Sequence, residues 1–285
     1  MKKIILFICL LFTFTIFGCA PVNKNDSQQN AQPNTPVVPP VIEQPIPPVT
    51  DLPNDTLGDQ DNSNETEDTN EEQEKKKKYY LVSSVNSLRI RTLPNSSSTV
   101  LGYLDKNDAL AYYGTENGFY KTVFKEKTAY VSQSYCTLME IEYENEAVEN
   151  TIDLASTLIG YPYIWGSQRY HWGNGILNKN YVHGEYDCSA LVQYVYYKSN
   201  GVILDVTSRA QSLNGIKTSR SDLKRGDLMF FTNESRKNKT GLEKIGHVGI
   251  YFGNNYILHT ASDHAVIEPI SSLRWSYFIT ARRVV

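Results

Sequence analysis

Apolar and polar positions divide the chain into four stretches with different periods. Ile4 to Phe17 is an almost unbroken apolar run behind Lys2 and Lys3. Its length of about 14 residues falls short of the roughly 20 that a spanning helix needs, so residues 1–19 read as an export signal. Residues 20–78 carry Asn, Gln, Pro, Asp, Glu and Thr with no aromatic side chain, which predicts a disordered, Pro-rich and acidic stalk. From Tyr79 to Ile141 short alternating runs such as Tyr80-Leu81-Val82, Leu88-Arg89-Ile90-Arg91 and Thr128-Ala129-Tyr130-Val131 are separated by turn residues, as in a small all-β barrel. Beyond it the period lengthens. Val148, Ile152, Ala155, Leu158 and Ile159 make one apolar stripe of a helix over Glu142 to Tyr161, ended by Gly160. Leu191, Val192, Val195 and Tyr196 make the stripe of a second helix, with Asp187 as its N-cap and Asn200-Gly201 as its stop.

Cys188 falls in the first turn of that second helix. Unpaired N–H groups and the helix dipole favour an anion there, and can lower a thiol pKa from about 8.5 to between roughly 3.5 and 7.5. The bland reading of Cys188 is a small buried hydrophobe. A base is supplied by the runs Gly246 to Phe252 and Tyr256 to Ala261, which flank Gly253-Asn254-Asn255 and predict a β-hairpin. A hairpin centred near Gly253 sets His247 directly across from His259, and a slip of two residues keeps them on one face diagonally. Gly249 on that face leaves room, while Val248, Ile250 and Phe252 point into a core. The geometry suits a cysteine, a base and an orienting group.

Composition narrows the partners. The formal net charge is −3, with the acidic residues concentrated in the stalk and a folded portion close to neutral, so no nucleic-acid surface is expected. Cys9 and Cys19 belong to the signal region, and Cys136 and Cys188 sit in segments of different kinds, which argues against a disulfide framework. His171 and His183 lack the short ligand spacing of a metal site, so no metal and no cofactor is expected. A monomer is expected.

Five ordered motifs carry a family resemblance. Tyr161-Pro162-Tyr163-Ile164-Trp165-Gly166, Asp187-Cys188-Ser189-Ala190-Leu191, Leu223-Lys224-Arg225-Gly226-Asp227, Gly246-His247-Val248-Gly249 and Leu258-His259-Thr260-Ala261 resemble the NlpC family of bacterial cell-wall cysteine peptidases. The resemblance implies an α+β, papain-like domain over 142–285, in which the helix carrying the nucleophile packs on an antiparallel sheet. It implies Cys188 as nucleophile, His247 as base and His259 as orienting residue. Tyr163, Asp187, Ser189, Ser208 and Arg209 match positions beside the substrate, with Asp187 and Ser189 holding its amino group. The implied activity is cleavage of peptidoglycan stem peptides at the bond from the γ-carboxyl of D-glutamate to the diamino acid. A wall-binding lipoprotein without activity, and an amidase or acyltransferase using the same triad, are the alternatives. Residues 79–141 resemble the bacterial SH3-like domain, with Phe119 where Trp is common and Arg89, Arg91, Tyr112 and Tyr130 as possible groove residues. Ile16-Phe17-Gly18-Cys19 resembles a lipobox, which implies a lipid on Cys19 and anchorage at the outer face of a membrane. Residues 167–186 are longer than the family pattern, and their Arg, Tyr, His and Trp content suits sugar stacking, a lid or a plain surface loop.

Overall fold

The alternating runs of the first half form β1 (Lys77–Ser83), β2 (Leu88–Arg91), β3 (Val100–Leu104), β4 (Ala109–Ala111), β5 (Thr115–Glu116), β6 (Phe119–Phe124), β7 (Lys127–Ser132) and β8 (Cys136–Glu142). The second half contributes α1 (Glu146–Thr157), α2 (Cys188–Asn200), α3 (Ser208–Gln211), β9 (Ile216–Thr218), β10 (Leu228–Phe231), β11 (His247–Gly253), β12 (Tyr256–Thr260), β13 (Ala265–Pro269), α4 (Ser272–Ser276) and β14 (Phe278–Arg283). This computed structural model describes residues 76–260 and 263–285; the signal run with Cys19, and the stalk as far as residue 75, lie outside the described residues.

The strands pair antiparallel in two sheets. One has the order β3-β2-β7-β6-β5, and the other the order β8-β1-β4-β13-β12-β11-β10-β14-β9. The SH3-like strands contribute to both sheets, and β4 reaches β13 of the second half through Ala109 and Ile267. That pairing gives the edge of the second-half sheet a partner, where an open edge would present a row of unpaired backbone groups. One apolar core follows the continuous sheet, taking in Tyr80, Leu81 and Leu110 from the first half and Leu191, Val248, Ile250 and Phe252 from the second.

Helix α1 starts four residues later than its sequence pattern predicts. Glu142 is held in β8 opposite Lys77, and Asn145 caps the helix by accepting from the Val148 N–H. A buried ion pair locks α1 to the turn before β10. Arg225 donates from Nε to Glu149 Oε1 at 2.9 Å and from Nη2 to Glu149 Oε2 at 3.0 Å, and also donates to the Tyr80 hydroxyl of β1 and the Phe252 carbonyl of β11. A bidentate pair with two further guanidinium donors satisfied is a geometry in which burial of two charges is tolerated.

Helix α2 has the predicted bounds. Asp187 caps its start and Gly201, at φ +67°, closes it in the left-handed region. Its apolar face packs on β11 and on α1, and Cys188 of its first turn lies beside the Val248 backbone N–H at the start of β11.

Candidate active site

The site begins with the cap. Asp187 Oδ1 accepts from the Ala190 N–H at 2.8 Å and from the Ser189 hydroxyl at 3.0 Å, which fixes the first turn of α2 around Cys188. Cys188 is only 9% exposed. The backbone N–H groups of Val248 and Ser189 lie against its sulfur, and Arg169 is nearby. Burial and then the Asp187 carboxylate nevertheless push the thiol up to about 11, so the lowered pKa expected from the helix terminus is not realised. Desolvation exceeds what two N–H groups and one guanidinium return.

The hairpin differs in register from the expectation. Asn254 and Asn255 both take positive φ, as the two central residues of a type I′ turn require, so the turn centres after Gly253. Ile250 then faces Leu258 and Tyr251 faces Ile257, with a bulge before Gly253. His247 and His259 are thus diagonal instead of directly opposed. They still share a face, and His247 Nε2 is 2.7 Å from His259 Nδ1. The space beside Gly249 is taken by neighbours within the sheet: a Cβ there would come within 2.9 Å of His259 Cβ and 2.6 Å of Ile257 Cδ1.

A residue absent from the sequence reading completes the line. His259 Nε2 is 2.9 Å from Glu268 Oε1 on β13, and Arg274 of α4 donates to the same oxygen at 3.1 Å. Burial opposes the charge on Glu268, but the hydrogen bond from His259 and the Arg274 cation hold its carboxyl below the usual range. An ionised carboxylate only accepts, so His259 Nε2 carries the proton and His259 Nδ1 carries a lone pair. That lone pair accepts from His247 Nε2–H. His247 Nδ1 is left unprotonated and able to take a proton. Burial, then His259, then Arg274 keep the His247 pKa well below the ordinary value, and burial foremost lowers that of His259. Both rings are neutral at pH 7.

An open cleft of about 500 Å³ runs beside these groups, lined by Tyr163, His247, His259, Thr260, Arg274 and Tyr277 among others. Tyr163 feels both Cys188 and Asp187, after burial, in the upward shift of its phenol. Ser208 opens α3, whose Gln211 donates to the Ser189 carbonyl at 3.0 Å. Arg209 pairs instead with Glu243, ahead of β11, at 3.4 Å. The arginine that meets Asp187 and Ser189 is Arg169, from the 167–186 stretch. The rest of that stretch is packed: Tyr170 and Tyr181 lie against Tyr194 of α2, and His183 reaches Glu126 at the β6–β7 turn at 2.7 Å. In the SH3-like part, Arg89 and Arg91 line a groove of about 470 Å³ with Tyr103, Phe119 and Tyr135. Tyr130 is buried instead, with its hydroxyl donating to Glu116, and Tyr112 packs edge-on against Tyr120. Cys136 and Cys188 are both free thiols.

A helix-borne thiol packed on an antiparallel sheet beside a strand histidine is the papain-like α+β arrangement. Residues 160–284 match the NlpC/P60 family, and residues 86–137 match the bacterial SH3 domain. A murein DD-endopeptidase/LD-carboxypeptidase of Escherichia coli is 32% identical over 163 residues, which is 56% of this chain and 78% of that protein. The chain belongs to the NlpC/P60 family. A gamma-D-glutamyl-L-lysine dipeptidyl-peptidase of Bacillus subtilis is 31% identical over 55% of this chain and 46% of its own length. A peptidoglycan DL-endopeptidase of Bacillus licheniformis is 31% identical over 54% of this chain and 32% of its own length. The matches thus span about a third to a half of the length of the first curated relatives.

Proposed function

We propose that this chain is a cysteine peptidase that hydrolyses peptidoglycan stem peptides at the bond between the γ-carboxyl of D-glutamate and the diamino acid. The observation that carries this reading is the relay from Glu268 through His259 to His247, which leaves one basic nitrogen at the strand start whose next backbone N–H touches the Cys188 sulfur. Chemically, a neutral thiol and a neutral imidazole form a pair in which the proton moves as the substrate is attacked. His247 takes the proton from Cys188 while the sulfur bonds to the carbonyl carbon. The oxyanion is met by the backbone N–H of Cys188, in the unpaired first turn of α2. His247 then gives its proton to the leaving amine, and a thioester remains on Cys188. Water, deprotonated by His247, releases the acyl half and restores the thiol. Glu268 holds the relay in the tautomer that both steps need.

The choice of bond follows the Bacillus subtilis relative, whose name specifies a γ-D-glutamyl-L-lysine linkage, whereas the Escherichia coli relative is named for DD- and LD-bonds. The reading also includes a signal over 1–19 with a lipid on Cys19, a stalk over 20–78, an SH3-like domain over 79–141 and a peptidase domain over 142–285. It places the protein outside the cytoplasm, held at the outer face of a membrane. The test is mass spectrometry of purified muropeptides and free stem peptides after incubation with the protein. Products ending in γ-D-glutamate are expected. Products cut at the sugar-to-alanine amide would move the reading to an amidase, and none at all would favour a wall-binding protein.

A further inference from the structure

The Asp187–Ser189 pair beside Cys188 is already occupied. Arg169 Nη2 donates to Asp187 Oδ2 at 2.8 Å and to the Ser189 hydroxyl at 3.0 Å. Its Nε donates to the Val206 carbonyl and its Nη1 to the Ser167 carbonyl at 2.7 Å, so the guanidinium is clamped by four hydrogen bonds. The side chains are secluded, Arg169 15% exposed and Asp187 9%. Asp187 Oδ1 is taken by Ala190 N–H and the Ser189 hydroxyl, and Oδ2 by Arg169. Neither oxygen is left as an unpaired anion.

A carboxylate and a hydroxyl flanking the nucleophile are what a substrate ammonium would need. In the cleavage proposed above, on which this inference rests, the acyl half is L-alanyl-γ-D-glutamate. The γ-linkage puts seven bonds between the attacked carbonyl carbon and a free alanine amine, so that amine would lie on the order of 9 Å from the sulfur when extended and nearer when the chain bends, within reach of this pair. Here it would meet a fixed cation instead of a free carboxylate. Like charges brought close at a secluded site repel strongly, and displacing Arg169 would break four hydrogen bonds. An N-acylated alanine carries no charge, and its carbonyl is an acceptor that suits the remaining guanidinium N–H.

The geometry points to Arg169 as a specificity determinant that makes the site select N-acylated stem peptides, such as those still joined through the lactyl group to muramic acid, over peptides with a free alanine amine. The composition of the 167–186 stretch fits this, because it is the segment added beyond the family pattern that delivers the guanidinium.

The test measures binding by calorimetry to the full chain carrying Cys188→Ala, so that nothing is consumed. The ligands are L-Ala-γ-D-Glu-diamino acid-D-Ala with a free or an N-acetylated alanine, each made with L-lysine and with meso-diaminopimelate. The acetylated form is expected to bind at least tenfold tighter in the matching diamino series. Tighter or equal binding of the free amine, or no binding of the acetylated form in either series, would overturn the inference. Adding Arg169→Gln removes the cation while keeping a hydrogen-bonding side chain, and should shift the ratio at least tenfold toward the free amine. Arg169→Lys should keep the original order. An unchanged ratio in Arg169→Gln would also overturn it. Failure of the wild-type protein to hydrolyse either peptide is a separate result, which refutes the peptidase reading and leaves the binding order to decide this one.

Discussion

Replacing Glu268 by Gln tests the relay at the residue that fixes its direction. The carboxylate is separated from the His247 ring by hydrogen bonds of 2.9 and 2.7 Å and by the His259 ring between them. It therefore lies on the order of 10 Å from the charge that develops when His247 takes the thiol proton, and at an effective dielectric near 20 that counter-charge contributes about 1.7 kcal/mol. Loss of that term alone slows the reaction about 20-fold. Gln adds a second effect, because its NH₂ can donate to His259 Nε2. That would reverse both ring protons and leave His247 Nδ1 unable to act as a base. Together the two effects predict a fall in kcat of about 20- to 100-fold, in the range usual for groups that orient a ligating or reacting histidine. The assay is kcat and KM on a defined stem peptide across pH. KM should change little, and the acid limb of kcat/KM should move to lower pH, because the imidazolium has lost its counter-charge. A variant with kcat within twofold of wild type and an unmoved limb would refute the relay.

Further outcomes follow from the same structure. The Cys188 thiol, pushed up to about 11 by burial and then by Asp187, should react with iodoacetamide at a rate that keeps rising toward a midpoint near pH 11; a plateau below pH 8 would contradict the neutral resting pair. Glu149→Ala leaves Arg225 charged and unpaired in the core and should cost about 3–5 kcal/mol in denaturant unfolding. The Glu149 carboxyl is held below its ordinary value: burial alone would raise it, and the Arg225 hydrogen bonds and charge outweigh burial. Its contribution is present above the unfolded pKa of about 4.3 and is lost as pH falls through the folded value, so wild-type stability should drop on acidification below about pH 4 more steeply than that of the variant. Gly249→Ala brings a methyl within 2.9 Å of His259 Cβ and should lower kcat at least tenfold; full activity would show that the strand can yield there.

Much of this site is local, and local features are legible in the chain. Asp187 and Gly201 bracket α2 as their side-chain and backbone chemistry requires, which places Cys188 in the first turn. The hairpin registers by turn geometry, and two asparagines at positive φ moved the pairing by two residues. Strand side chains repeat every two residues, so that shift kept both imidazoles on one face. Glu268 and Arg169 were not legible for a different reason. Each meets its partner through a contact set by tertiary packing, Glu268 from a neighbouring strand and Arg169 from a stretch with no periodicity. The one local signal for Glu268 is an acid closing the otherwise apolar run Ala265-Val266-Ile267. The shared sheet was hidden likewise, because Ala109 and Ile267 pair across more than 150 residues of chain.

Nucleophilic catalysis by Cys188 is tested by the hydrolysis rate of Cys188→Ala on a defined stem peptide, with its far-ultraviolet dichroism and melting temperature matched to wild type. Turnover should fall at least 10⁴-fold, to the background without enzyme, while the folded signal is unchanged. A folded Cys188→Ala protein that still cuts the peptide within tenfold of the wild-type rate would contradict that role.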